Sequence, residues 1–163
     1  MDNIVDENGE ELLGEPESRN KLQKTALTAI YDVLTYIDMK EDVDVESIVS
    51  GLSDRPYAQC DYFLKAAVVN AIKHLDEATQ EFNARMNKWT FGRINRVEQA
   101  LLLLSYVHYY YVEPTVDKGV VIDIAVRLAK TYLEPKDYKF VNAILDKVLA
   151  NEKRSALPVG QPA

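Results

Sequence analysis

The sequence predicts an all-α fold, a bundle of about six to seven helices. Three observations predict it. Apolar side chains recur at steps of three and four through most of residues 18–149. Only six glycines and six prolines punctuate the 163 residues, several of them near the termini, so long stretches lack turn signals. No segment alternates with a strand's period for more than a few residues, and no internal repeat is visible.

The elements follow in order. Residues 1–17 read as a disordered acidic arm broken by Gly9, Gly14 and Pro16. Ser18 is a natural N-cap for a helix over 18–38, whose stripe is Leu22, Ala26, Ala29, Ile30, Val33 and Ile37. A short helix over 44–53 uses Val45, Ile48, Val49 and Leu52. A long one over 57–86 carries Leu64, Ala67, Val68, Ala71, Leu75, Ala78 and Phe82. Residues 89–92 break the pattern. The helix over 94–112 is apolar nearly all round, which places it at the centre of a bundle. Pro114 ends it, because the residue before proline is driven out of the α region. A helix over 116–133, capped by Thr115 or Asp117, presents Ile122, Ala125, Leu128, Ala129 and Tyr132. The last, started by an Asp137 cap, presents Phe140, Val141, Ile144, Leu145 and Val148. Residues 151–163 hold Pro158, Gly160 and Pro162 and read as a frayed tail. The division expected is an arm (1–17), an N-terminal helical subdomain (18–88), a C-terminal one (89–150) and the tail (151–163).

Charge narrows the function classes. The net charge of −7 resides in the arm: Asp2, Asp6, Glu7, Glu10, Glu11, Glu15 and Glu17 lie there without a lysine or arginine. The body that follows holds equal numbers of acidic and basic side chains, so any nucleic-acid binding must use a local patch or a partner. One cysteine, Cys60, excludes an intrachain disulfide and suits a reducing cytoplasm. The N-terminus lacks a signal peptide's apolar run, and the apolar run at 100–104 is far too short for a membrane span. A cytoplasmic protein without membrane association is expected.

Catalytic chemistry finds little support. His74 and His108 stand apart, without metal-ligand spacing to carboxylates. His74 reads as a surface or boundary residue, and His108 as a hydrogen-bonded, semi-buried one. Cys60 has no activating neighbour in sequence. No phosphate-cradling glycine loop or paired acids are present, so neither an enzyme nor a cofactor is expected. Tyr109, Tyr110 and Tyr111 cannot all face one core, so at least one should reach a surface. Boundary packing and a partner-binding surface both fit them.

Residues 138–147 (YKFVNAILDK) resemble the C-terminal helix signature of the NusB family of bacterial transcription antitermination factors. Residues 121–130 (VIDIAVRLAK) are similar to that family's penultimate helix. Trp89, Arg93, Val97 with Glu98, and residues 26–31 (ALTAIY) fit the same pattern in the same order. The resemblance spans about 18–149. It implies a NusB-like bundle of two helical subdomains, boxA-type RNA as ligand and the ribosomal protein NusE as partner. It further implies a place in an RNA polymerase antitermination complex on ribosomal RNA operons, with no catalysis or cofactor.

By position, the resemblance implies RNA contacts at Arg19, Lys21 and Lys24 of the first helix and at Lys139 and Phe140 of the last. NusE contacts are implied at Tyr31 and Glu98. Cations suit phosphates, and an exposed ring can stack on an unpaired base. Core packing is the plain alternative for Phe140, a solvated face for the lysines, and a boundary tyrosine and surface acid for Tyr31 and Glu98. The chain also departs from the family. Asn20, Leu22 and Gln23 interrupt what is usually an arginine-rich run, and lysine lacks arginine's bidentate phosphate grip. Asp123 and Ile124 stand where an Asn-Glu pair is usual, Val107 and His108 where Tyr-Glu is usual, and Ala143 in place of a glycine. Weak RNA binding by the chain alone is therefore expected, with the acidic arm competing for the basic patch. The alternative is a NusB-fold interaction module that has lost specific RNA binding. A third reading is the RNA-binding domain of a NusB-fused methyltransferase, which the lack of a methyl-donor domain after residue 149 disfavours. A homodimer hiding one of these faces is possible from the apolar helices and tyrosines.

Overall fold

In the computed structural model, residues 17–151 and 154 are described, and they contain seven α-helices and no strand. They are α1 (Arg19–Asp38), α2 (Val45–Ser53), α3 (Tyr62–Lys73), α4 (Leu75–Arg85), α5 (Arg96–Val107), α6 (Lys118–Tyr132) and α7 (Asp137–Val148). Most of the arm and the tail lie outside the described residues. Short 3-10 turns at Tyr57–Gln59 and Phe91–Arg93 precede α3 and α5.

Side-chain oxygens start the helices where the first turn leaves N–H groups unpaired. Ser18 accepts from Lys21 N at 3.2 Å, Asp44 from Ser47 N at 3.1 Å and Asn95 from Glu98 N at 2.8 Å. Asp117 occupies the N-cap of α6 but makes no capping bond with its side chain. Asp137 is the first residue of α7 rather than its cap; its carboxylate faces the positive end of the helix dipole instead.

α5 is the centre, as its all-round apolar sequence predicts: every residue from 100 to 107 is buried. It packs against α1, α3, α4, α6 and α7. One continuous apolar cluster draws on both sides of the expected 88/89 division, from Leu22 and Phe63 to Leu128 and Val148.

Two expectations need correction. The helix expected over 57–86 is two helices, bent at His74 (φ −114°, ψ 18°) after a 3-10 turn. No glycine or proline marks the bend, which tertiary packing imposes. α3 turns toward α1 and α5, α4 toward α7, and the His74 ring stacks on Tyr111 at 3.6 Å. The helix expected to run to 112 widens into a π turn, His108–Val112, closed by Glu113 N donating to His108 O at 3.0 Å. The wider turn buries Tyr109 and Tyr110 together. Tyr111 is only half-buried, and its hydroxyl donates to the Glu77 carboxylate at 2.7 Å. Tyr106 donates to the same carboxylate at 2.7 Å. The tyrosine run thus serves packing.

Candidate nucleic-acid interface

The start of α1 brings Arg19, Lys21 and Lys24 to the surface, but not as free charges throughout. Arg19 pairs with Glu113, and its guanidinium lies 4.2 Å from the centre of the Phe63 ring. Lys21 sits 3.7 Å from Glu17, whose carboxylate also lies 3.4 Å from Arg55. Glu17, the last residue assigned to the arm, is therefore tied to the helical body. Lys24 is exposed and forms no ion pair with a described residue.

Gln23 decides the connection to the C-terminal half. It is buried, and its side-chain oxygen accepts a hydrogen bond from the Arg127 guanidinium on α6. Lys130, one turn further along α6, lies 4.6 Å from the Tyr138 ring centre on α7. At the opposite end Lys118 Nζ donates to Asp146 O at 2.6 Å, so α6 and α7 are antiparallel. α6 thus stands between Lys24 of α1 and exposed Lys139 at the start of α7; half-buried Phe140 lies on the other face of α7. Arg127 and Lys130 are additions to the expected set. Their signal was an i,i+3 basic pair in the penultimate helix.

The other face of α7 lines a cleft of about 600 Å³ against the α4–α5 connector. Phe140 and Glu98 both line it, so an expected RNA residue and an expected partner residue share one cavity. Glu98 is not the surface acid its helix position suggested: it is only 7% exposed. Burial, with the nearby Asp137 carboxylate adding to it, raises its pKa from 4.5 to about 7. Tyr31 is exposed on α1 with the Arg96 guanidinium 5.8 Å from its ring centre. Arg96 also bonds Asp38 at 2.8 Å and Thr35 Oγ1 at 3.3 Å, fixing α5 to α1 beside Tyr31.

His108 is buried at 3% exposure, deeper than expected, with Nε2 hydrogen-bonded to no described residue. Burial, then the Arg19 and Arg154 charges, push its pKa down to about 4. The ring is neutral at pH 7, so the 3.4 Å approach of Glu113 to Nε2 is no ion pair. His74 is half-buried in its stack on Tyr111. Cys60 is buried. Among the described residues no group of three or more His, Cys, Asp or Glu could hold a metal ion. No helix among them is long and apolar enough to cross a membrane.

The sequence model of the NusB family matches residues 20–150. The chain belongs to the NusB family. It is 32% identical over 141 residues to the transcription antitermination protein NusB of Finegoldia magna, covering 86% of this chain and 99% of that protein. The NusB of Oceanobacillus iheyensis is 28% identical over 133 residues, covering 82% and 99%. Among solved structures, T. maritima NusB superposes with a TM-score of 0.71 at 20% identity, covering 86% of this chain and 99% of that one. At this identity the match shows a shared NusB fold. A chain from a crystal structure described as a plectonemic RNA supercoil matches at TM-score 0.61 and 22% identity, over 80% and 92%.

Proposed function

We propose that this NusB-family chain is a transcription antitermination factor that binds boxA-type single-stranded RNA with NusE, within an RNA polymerase complex on ribosomal RNA operons. The observation carrying this reading is the α6 bridge. Arg127, seated on Gln23, and Lys130, over the Tyr138 ring, join Lys24 to Lys139 at the start of α7, while Phe140 lines the cleft on the other face of that helix. A single strand suits this arrangement, since cations grip phosphates and rings stack bases. NusE docks by the exposed Tyr31; Glu98, 7% exposed at the cleft wall, offers it no open contact, and no cofactor or catalysis is involved. The acidic arm competes with RNA, so removing residues 1–16, which retains Glu17, raises affinity at low salt.

The second reading, a protein-interaction module without specific RNA binding, draws on the internal pairing of Arg19 with Glu113 and of Lys21 with Glu17. Titrating boxA RNA and a scrambled RNA against the chain, with and without NusE, separates the two. Selective binding of boxA RNA, strengthened by NusE, supports the first. Capture of NusE without RNA selectivity supports the second.

A further inference from the structure

Glu113 closes the π turn, and its backbone is fixed by three hydrogen bonds. Its N–H donates to His108 O at 3.0 Å. Its carbonyl accepts from Val116 N at 3.0 Å and from the Arg154 guanidinium at 3.1 Å. Arg154 in turn donates through Nε to Tyr109 O at 2.8 Å, clamping the turn from outside. The Glu113 carboxylate is thereby presented to the start of α1, where it pairs with Arg19.

The two acids at the start of α1 are held differently. The Glu17 side chain beside Lys21 is only 5% exposed and also lies 3.4 Å from Arg55, so it is locked in place. The Glu113 and Arg19 side chains are 36% and 49% exposed, and neither has another charged partner among the described residues. A solvent-facing pair of this kind is weak, because water and salt compete for both members. A phosphate, which engages the guanidinium fork with two oxygens, can displace the carboxylate.

The displaced carboxylate has a second seat. His108 Nε2 stands 3.4 Å from Oε1 of Glu113, the oxygen that also meets Arg19. That nitrogen is buried and hydrogen-bonded to no described residue. With the proton of the neutral ring assigned to Nε2, it donates to Oε1 once Arg19 has left.

We propose that Glu113 is a latch on Arg19: it occupies the guanidinium in the free chain, and an RNA phosphate opens it by taking Arg19 while the carboxylate turns to His108. The assignment rests on the single-stranded RNA reading, in which Arg19 is an expected contact, and names the residue that limits that contact. Closed, the pair carries no net charge and gives a polyanion little attraction. A strand already held by other cations, such as Lys24, presents its next phosphate at high effective concentration and opens the latch. An isolated anion lacks that advantage.

A double-mutant cycle tests the latch. The anisotropy of an end-labelled boxA-type RNA at low salt reports binding to four full chains: the parent, Glu113→Gln, Arg19→Gln and the double variant. Glu113→Gln should tighten the Kd of the parent roughly 2- to 5-fold more than it tightens that of Arg19→Gln. The Arg19→Gln background subtracts the general effect of removing one negative charge. Unchanged circular dichroism and unfolding midpoints check the fold of each variant. A second measurement needs no variant: in the parent, the His108 ring nitrogen resonances should shift as RNA saturates the chain and Nε2 gains its acceptor. Equal effects of Glu113→Gln in both backgrounds, or His108 resonances that stay in place, overturn the latch and leave the RNA reading standing. Weaker binding by Glu113→Gln also overturns it, because Glu113 would then orient Arg19 for the phosphate. Absence of RNA binding by all four chains, with or without NusE, removes the RNA reading and the latch with it.

Discussion

Glu98 makes the buried chemistry of this fold measurable. Its carboxyl is pushed up to about 7 in the folded chain from an ordinary 4.5, first because the fold buries it and then because of the Asp137 charge. The cations lining the same cleft, Arg85, Lys88, Arg93 and Lys147, do not offset the burial. Between those two pH values the folded chain holds a proton that the unfolded chain has released. Stability therefore falls as pH rises through the window from 4.5 to about 7 and levels off above it. At about 1.4 kcal/mol per pH unit, the ionised carboxylate costs the fold about 3 kcal/mol on the alkaline side.

Glu98→Gln keeps the shape and removes the charge. The variant should be more stable than the parent by about 3 kcal/mol at about pH 8, with the advantage down to about 1 kcal/mol at about pH 5 and nearly gone at about pH 4. A buried amide without a partner adds an offset of its own, but that offset is independent of pH. The decisive quantity is thus the change in the difference between the alkaline and acid ends of the series. Urea unfolding followed by helical circular dichroism measures it. Parallel stability profiles for the two proteins would refute the reasoning, because they would mean that Glu98 is ionised at no cost in the fold.

His108 works in the opposite sense. With its pKa lowered from 6.5 to about 4, it contributes stability that is lost as pH falls through that window. In the parent the two effects oppose each other between 4.5 and 6.5. His108→Gln should expose the Glu98 slope, a gain in stability on acidification, and the same urea series checks it. Leu102→Ala, at a fully buried position of α5, should lower unfolding stability by roughly 2–5 kcal/mol through the cavity it leaves. Lys24→Gln and Arg127→Gln should each weaken RNA binding at low salt and reduce the slope of log affinity against log salt by about 0.7. Titrations at three salt concentrations read this directly.

Much of the fold was legible because burial imposes a period. α1, α6 and α7 each bury most of one stripe: Ala26, Ile30, Ala125, Leu128, Val141 and Ile144 are buried, while the expected stripe members Ile37 and Tyr132, near the helix ends, are exposed. α5 was legible for a different reason: it is enclosed by other helices and needs no polar face. The bend at His74 and the π turn at His108–Val112 were not legible. No local breaker marks either, and both arise from contacts far apart in sequence, such as His74 with Tyr111 and Tyr110 with Val148 O at 2.8 Å. The burial of Glu98 escaped for the same reason. Its cover comes from α7, nearly 40 residues away in the chain.

The candidate site residues are legible by type, but not by how their charges are partnered. Gln23 reads as an interruption of a basic run. In the fold it is the buried seat on which Arg127 of α6 rests, so a cation lacking from α1 stands across from it on the neighbouring helix. Arg19 and Lys21, the apparent start of the basic patch, are the ones drawn into pairs with Glu113 and Glu17. The centre of positive charge therefore shifts away from the tip of α1, toward α6 and the cleft beside α7. A surface arranged this way needs fewer basic residues in any one segment. On the proposed RNA reading, that is how a body neutral in sum would present a local track for phosphates, and α6 is the element on which that reading depends most.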